Sequence, residues 1–447
     1  MSEHIEHPQE RLELGDGARR VARIAAMAGV AGLLVSLGWS LSADHGPRRF
    51  YFAYLVSFAY VLSIALGGLF FTLLQHLTRA GWSVNVRRIA EAMGATMPWV
   101  ALLSLPIVFS VVIQKGQLYR WAQPHPPAHA ATSHETEHGA PAAGESQPAQ
   151  KEGHGDGHGG VDELTIGKRP FLTWWFFLLA SIACLGSWAW IGNWYWRQSV
   201  AQDRSGEVTL TRTMEKYSAP AMLLYALTVT AFALLWIMSL DPHWYSTMFG
   251  VYYFAGTAVA CFATLVVICC LLQRRGLMGR SITTEHYHDL GKFLFGFVFF
   301  WGYIAFSQYM LIWYANIPET TAWFSRRGAT SADDAGPLAA AWSTISLLLL
   351  FGHLLIPFAG LMSRHIKRRR RILMFWAVWM LVFHWLDLYW LIMPEYDGHL
   401  RLGVVEIAAA VGVIGLFAAA LVRKMASASL RPLGDPRLDE SLAFVNV

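Results

Sequence analysis

A chain of 447 residues that is 55% hydrophobic, 14% aromatic and only 15% charged is too apolar for an ordinary soluble domain and predicts several membrane spans. Its net charge of +5 calls for no nucleic acid, because the basic residues sit at the ends of apolar runs, where they set topology and meet anionic headgroups, and no RNA-reading motif accompanies them. The four cysteines, Cys184, Cys261, Cys269 and Cys270, all lie inside apolar runs, which excludes a disulfide framework or a CxxC metal loop and leaves no clustered thiolates for an iron–sulfur centre.

Residues 1–20 are charged, with no apolar run ahead of the first span, and are expected to form a cytoplasmic tail rather than a signal peptide. Spans of roughly 20 residues, the length that crosses about 30 Å of hydrocarbon, follow near 21–41, 50–76 and 97–114, making 21–114 the first membrane segment. The connection 115–169 is low in complexity and rich in Ala, Gly, Pro, Glu and His, with no apolar periodicity that could build a core. It is expected as a flexible periplasmic loop. His125, His129, His134, His138, His154 and His158 are good Zn or Cu ligand types, but they lack a fixed ligand spacing, so solvation or adventitious binding is the favoured reading and no metal site is assigned.

Seven more spans lie near 170–192, 219–240, 248–273, 291–315, 338–362, 372–393 and 403–422, making 170–422 the second membrane segment and 423–447 a C-terminal tail. The expected fold is therefore an all-α polytopic membrane protein with about ten transmembrane helices. About 25 of the Lys and Arg residues fall on the face shared by the termini and about 10 on the other, which places both termini in the cytoplasm under the positive-inside rule. The block Arg364, Lys367, Arg368, Arg369, Arg370 and Arg371 alone orients the loop after span eight. Tryptophans such as Trp121, Trp174, Trp175, Trp244 and Trp390 lie at span ends and fit an aromatic belt.

Leu73-Leu74-Gln75 aligns with Leu271-Leu272-Gln273, and the same offset matches Tyr54 with Tyr252. This weak repeat predicts two parallel four-helix bundles, spans two to five and six to nine, with spans one and ten flanking.

The candidate chemistry lies in spans seven to nine. FSQYMLIWYANIPE, Phe306 to Glu319, carries Ser307, Gln308, Tyr309, Tyr314 and Asn316 into the second half of an apolar helix, and such groups need partners or a wet cavity because lipid offers none. In span nine, His384 and Asp387 are three apart and share a helix face. They form a proton relay, or a structural pair bracing two helices, or the Asp lies high enough to reach interfacial water. His353, near the middle of span eight, is read as a hydrogen-bonding or proton-handling group or as a satisfied core histidine; a haem would need paired His-bearing helices that the sequence lacks. His76 and Arg79 mark the inner end of span two, as interface residues or the mouth of a path, while Asp241 and His243, in SLDPHW at the outer end of span five, read equally as site residues or as turn formers before span six.

The run FYFAYLVSFAYVLSIALGGLFFTLLQHLTRAGW from Phe50 to Trp82, then VRRIAEAM and FSQYMLIWYANIPE, resembles the second large membrane subunit of bacterial alternative complex III, a quinol:cytochrome c oxidoreductase whose integral subunits are similar to polysulphide-reductase (NrfD-like) anchors. The likeness covers nearly all ten spans and leaves out the His-rich loop. It implies two four-helix bundles with flanking helices, a bacterial inner-membrane location and membership of the respiratory chain. Its implied partners are a related quinol-binding membrane subunit, an iron–sulfur subunit, a multihaem cytochrome c subunit and, further on, a terminal oxidase. Haem c and iron–sulfur clusters are then expected in those partners and none in this chain, with lipid or quinone as the small molecules it could meet. No catalytic residue is assigned; Tyr303, Gln308, Tyr309, His353, His384 and Asp387 are the candidates for an interior proton path. The alternatives are a quinol-binding catalytic subunit, with Asp387 and His384 as its donor and acceptor, and an independent secondary transporter.

Overall fold

Ten apolar segments become ten helices because hydrocarbon offers a backbone no hydrogen-bond partner, so each segment satisfies its own amides. The computed structural model describes residues 10–42, 46–113, 117–123, 167–168, 170–329 and 337–445, and the histidines of the 115–169 connection lie outside them. In chain order the spans are α1 (Gly17–Ser42), α2 (Gly46–Leu77), α3 (Val84–Val112), α4 (Trp174–Ser205), α5 (Val208–Leu240), α6 (Phe249–Arg274), α7 (Thr284–Ala315), α8 (Ala340–Met362), α9 (Arg370–Asp397) and α10 (Val404–Met425). Among the described residues there is no strand, only an isolated bridge between Arg11 and Leu277. The chain is an all-α, multi-pass membrane protein.

Four helices run past their apolar windows. α3 starts at Val84 instead of 97, α5 at Val208 instead of 219 and α7 at Thr284 instead of 291, while α4 continues to Ser205. All four extensions lie on the face shared by the termini. They escape a hydropathy reading because they are polar, yet they are packed through ion pairs: Arg87 with Glu91 (3.0 Å) and Asp435, and Arg88 with Asp203 (2.8 Å). Within α3 the helix breaks into Val84–Gly94, Met97–Leu103 and Leu105–Val112. Pro98 and Pro106 open the later pieces, where a missing N–H costs nothing.

α2 to α5 pack as one four-helix unit and α6 to α9 as a second, joined where α2 lies against α6 and α9. α2 and α6 are the two most buried spans, and small residues let them approach: a Cβ on Gly67 would lie 2.8 Å from the Thr257 carbonyl oxygen. The Tyr253 hydroxyl donates to the Ala59 carbonyl at 2.9 Å across the same join. The segments aligned by the sequence repeat, Leu73–Gln75 and Leu271–Gln273, both sit at the inner ends of these central helices. α1 and α10 form a flanking pair beside the first unit, pinned to α2 by the Arg49–Glu406 ion pair at 2.8 Å.

Both chain ends close on the same face. The Leu430 N–H donates to the Leu12 carbonyl at 2.9 Å, Glu10 accepts from Ser281 at 2.5 Å, and Ser441 donates to the Trp82 carbonyl at 2.7 Å. Burial alone would raise the Glu10 carboxyl. The Ser281 hydroxyl, the Ser281 and Arg280 amides and Arg431 outweigh it and hold the group below its ordinary value.

Candidate functional site

Where the two units join, polar side chains from five helices converge. Asp387 of α9, almost fully buried, accepts a hydrogen bond from the Tyr252 hydroxyl of α6 and another from Trp301 Nε1 of α7 at 3.3 Å. One turn back on α9, His384 Nε2 lies 2.8 Å from Ser63 Oγ of α2. Ser63 Oγ also lies 2.7 Å from the Tyr60 carbonyl; its one hydroxyl proton serves only one of the two contacts, and the direction of the other follows the imidazole tautomer. His384 Nδ1 has no hydrogen-bond partner among the described residues.

That nitrogen lies near Asp387 at Gly256 of α6. A Cβ on Gly256 would fall 3.1 Å from His384 Nδ1 and 3.9 Å from Asp387 Oδ2. The absence of a side chain there lets imidazole and carboxylate share one space. Chemically the arrangement offers a phenol hydrogen-bonded to a carboxyl group, with an imidazole nitrogen beside that carboxyl group and not hydrogen-bonded to it, three groups of the kinds that exchange protons.

His353 joins from α8. Its ring is fully buried, lies 3.9 Å from that of Trp301 and 6.5 Å from that of His384, and neither nitrogen has a hydrogen-bond partner among the described residues. The wide π turn Leu350–Leu355 carries it, a local insertion of the kind that often re-aims a side chain at a functional site.

The other candidates part company with this cluster. Gln308 is buried on α7, but its side-chain oxygen accepts from Ser246 at 2.9 Å, about two turns above Trp301. The Tyr309 hydroxyl donates to the Ala329 carbonyl at 2.8 Å. Both tie α7 to the outer connections. Tyr303 is 59% exposed and Tyr314 84% exposed, with Asn316 also outward and left-handed as the helix cap. The expectation that the FSQYMLIWYANIPE polar groups all face the interior is thus corrected: only Gln308 is buried, because the 3.6-residue turn spreads a contiguous polar run around the helix. Tyr252, Trp301, Ser63 and Gly256, by contrast, complete the site without having been singled out for it. The one sign of Tyr252 in the sequence is its alignment with Tyr54 in the weak repeat.

No protein-family model matches the chain, and neither does any curated protein. The site therefore rests on its own geometry. Among the described residues no group of three or more His, Cys, Asp or Glu side chains is placed to hold a metal ion, and all four cysteines are buried and free.

A charged rim joins the connections after α5 and α7 to the end of α9. Asp241 pairs with Arg326, Glu395 with Arg326 at 3.3 Å and with Arg327 at 3.0 Å, and the Arg327 guanidinium lies 3.5 Å from the centre of the Trp323 ring. Burial pulls the Arg327 guanidinium down to about 10, with Glu395 opposing and Arg326 reinforcing the shift, so it is still a cation at neutral pH. Asp241 and His243 do form a turn, the carboxylate accepting from the His243 N–H at 3.0 Å, but Asp241 is also a member of this rim.

Proposed function

We propose that the chain is a membrane subunit of a bacterial inner-membrane quinol:cytochrome c oxidoreductase of the alternative complex III type, without a redox cofactor of its own, and that its central cluster carries protons. The observation behind the proton-handling role is the pairing of Asp387 with His384 across Gly256 at the junction of the two four-helix units. A carboxyl group within a span is costly unless it is used or fully partnered, and here one imidazole nitrogen beside it has no hydrogen-bond partner among the described residues. The Phe50–Trp82 and Phe306–Glu319 runs support membership of the complex, in which the related membrane subunit would hold quinol and the haem c and iron–sulfur partners would carry electrons.

Purification through a tag on this chain in mild detergent tests the assignment. Co-purifying c-type haem and iron–sulfur subunits support it; a solitary, colourless protein overturns it in favour of a transporter. Within the complex, Asp387→Asn separates the roles. Quinol turnover is expected to be retained while proton release per electron falls, the proton-transfer rate dropping roughly 100-fold or more. Lost turnover in an intact complex would instead make the cluster a quinol site.

A further inference from the structure

At the inner end of α2, against the start of α5, lies a cavity of about 790 Å³ whose wall includes His76, Arg79, Arg212, Glu215, Lys216 and Arg437. Four cations there face a single carboxylate, and that carboxylate is already engaged, Glu215 pairing with Arg79 at 3.3 Å and with Arg437 at 2.7 Å. Arg212 and Lys216 have no carboxylate partner among the described residues. At the inner wall sits His76, 1% exposed, with neither ring nitrogen hydrogen-bonded among the described residues. A buried imidazole without partners is costly, and a concave surface with this excess of donors fits a ligand made of acceptor oxygens and negative charge.

We propose that this cavity binds the phosphate of an anionic phospholipid headgroup from the leaflet on the inner face. Phosphate oxygens would meet the Arg212 and Lys216 donors and reach a ring nitrogen of His76, while Glu215 holds Arg79 and Arg437 in place around them. A lipid, rather than free phosphate, is the source that suits the surface below. Arg212 and Lys216 are spaced four apart on α5, and the same face continues through Pro220 to Leu224, flanked by Leu223 and Leu227, which are 65% and 63% exposed. Cationic head site and apolar track are thus continuous along one helix, with the half-exposed Tyr217 ring at the level where they meet. Basic pockets between spans at this membrane face are the setting in which anionic headgroups are retained.

The test is lipid add-back to the delipidated full-length protein, in mild detergent and with any co-purifying subunits, read by native mass spectrometry and by the thermal unfolding midpoint. Phosphatidylglycerol is expected to stay bound and to raise the midpoint, whereas phosphatidylcholine and inorganic phosphate are not. Arg212→Gln with Lys216→Gln should weaken phosphatidylglycerol retention roughly tenfold or more, while the same charge removed from the exposed Arg369 and Arg371 should leave it unchanged. If the double variant does not fold, Lys216→Gln alone, at an exposed position, gives a smaller fall in the same sense. Equal retention by wild type and variant, an equal loss in the Arg369 and Arg371 control, or no preference over phosphatidylcholine would overturn the proposal. Inorganic phosphate raising the midpoint as much as phosphatidylglycerol would overturn the lipid source and assign the cavity to a soluble anion.

Discussion

A single missing side chain organises the central cluster. Gly256 has no backbone need for glycine, since it lies inside a regular helix; what requires it is the imidazole, whose Cε1 would lie 2.8 Å from an added Cβ. Gly256→Ala is therefore expected to push His384 off Ser63 and cost about 1–3 kcal/mol through overpacking. Thermal unfolding in detergent measures the cost. In the complex proposed above, proton release per electron is expected to fall as predicted for Asp387→Asn, although no ionisable group has been removed. A Gly256→Ala protein that pumps normally would show that the shared space between His384 and Asp387 carries no proton.

Among the helices, the flanking pair depends on close backbone approach, as the α2–α6 join does at Gly67. Added at Gly32 of α1, a Cβ would lie 2.8 Å from the Ala408 carbonyl oxygen and from the Gly412 nitrogen of α10, whereas at Gly38 it would meet nothing within 4 Å. Lipid supplies no hydrophobic force between helices, so packing of this kind is what holds α1 to α10. Gly32→Val is expected to lower stability by about 1–3 kcal/mol and Gly38→Ala to leave it unchanged, a contrast that paired melting curves would reveal. α8 uses a different device, the π turn that delivers His353 to Trp301. Its sequence, LFGHLL, reads as ordinary apolar helix, because a one-residue bulge leaves no mark on hydropathy.

At the scale of the molecule, the rim binds together connections that are far apart in sequence: Asp241 after α5, Arg326 and Arg327 between α7 and α8, and Glu395 at the end of α9. Burial would raise the Asp241 carboxyl, but the charge and hydrogen bonds of Arg326, with the His243 amide, overcome it and hold it below its ordinary 3.8. A carboxyl depressed on folding contributes stability that is present above its unfolded value and is lost as pH falls through its folded one. The thermal midpoint of Asp241→Asn should accordingly lie below that of wild type at neutral pH, and the gap should close as pH falls below about 4. A gap independent of pH would show that the ion pair contributes nothing there.

Hydropathy alone determined the ten spans, their helical state and their alternating direction, because the bilayer penalises every unpaired backbone amide and leaves one solution for an apolar run. His353, His384 and Asp387 were also legible, since an ionisable residue in mid-span stands out against hydrocarbon. Their partners were not. Tyr252, Trp301 and Ser63 belong to residue types that serve equally as belt, core or packing groups, and only the crossing of α2, α6, α7 and α9 brings them to Asp387 and His384. Tyr303 and Tyr314 went the other way, since a helix turning every 3.6 residues decides from its neighbours' positions which face is interior. The extensions of α3, α4, α5 and α7 escaped composition for the same reason: Arg87, Arg88, Glu91 and Asp203 read as loop residues until packing pairs Arg88 with Asp203 and brings Asp435, from far along the chain, to Arg87. Spans are settled by an energy each segment meets by itself, whereas the site is settled by contacts between segments, and those exist only once the helices have packed.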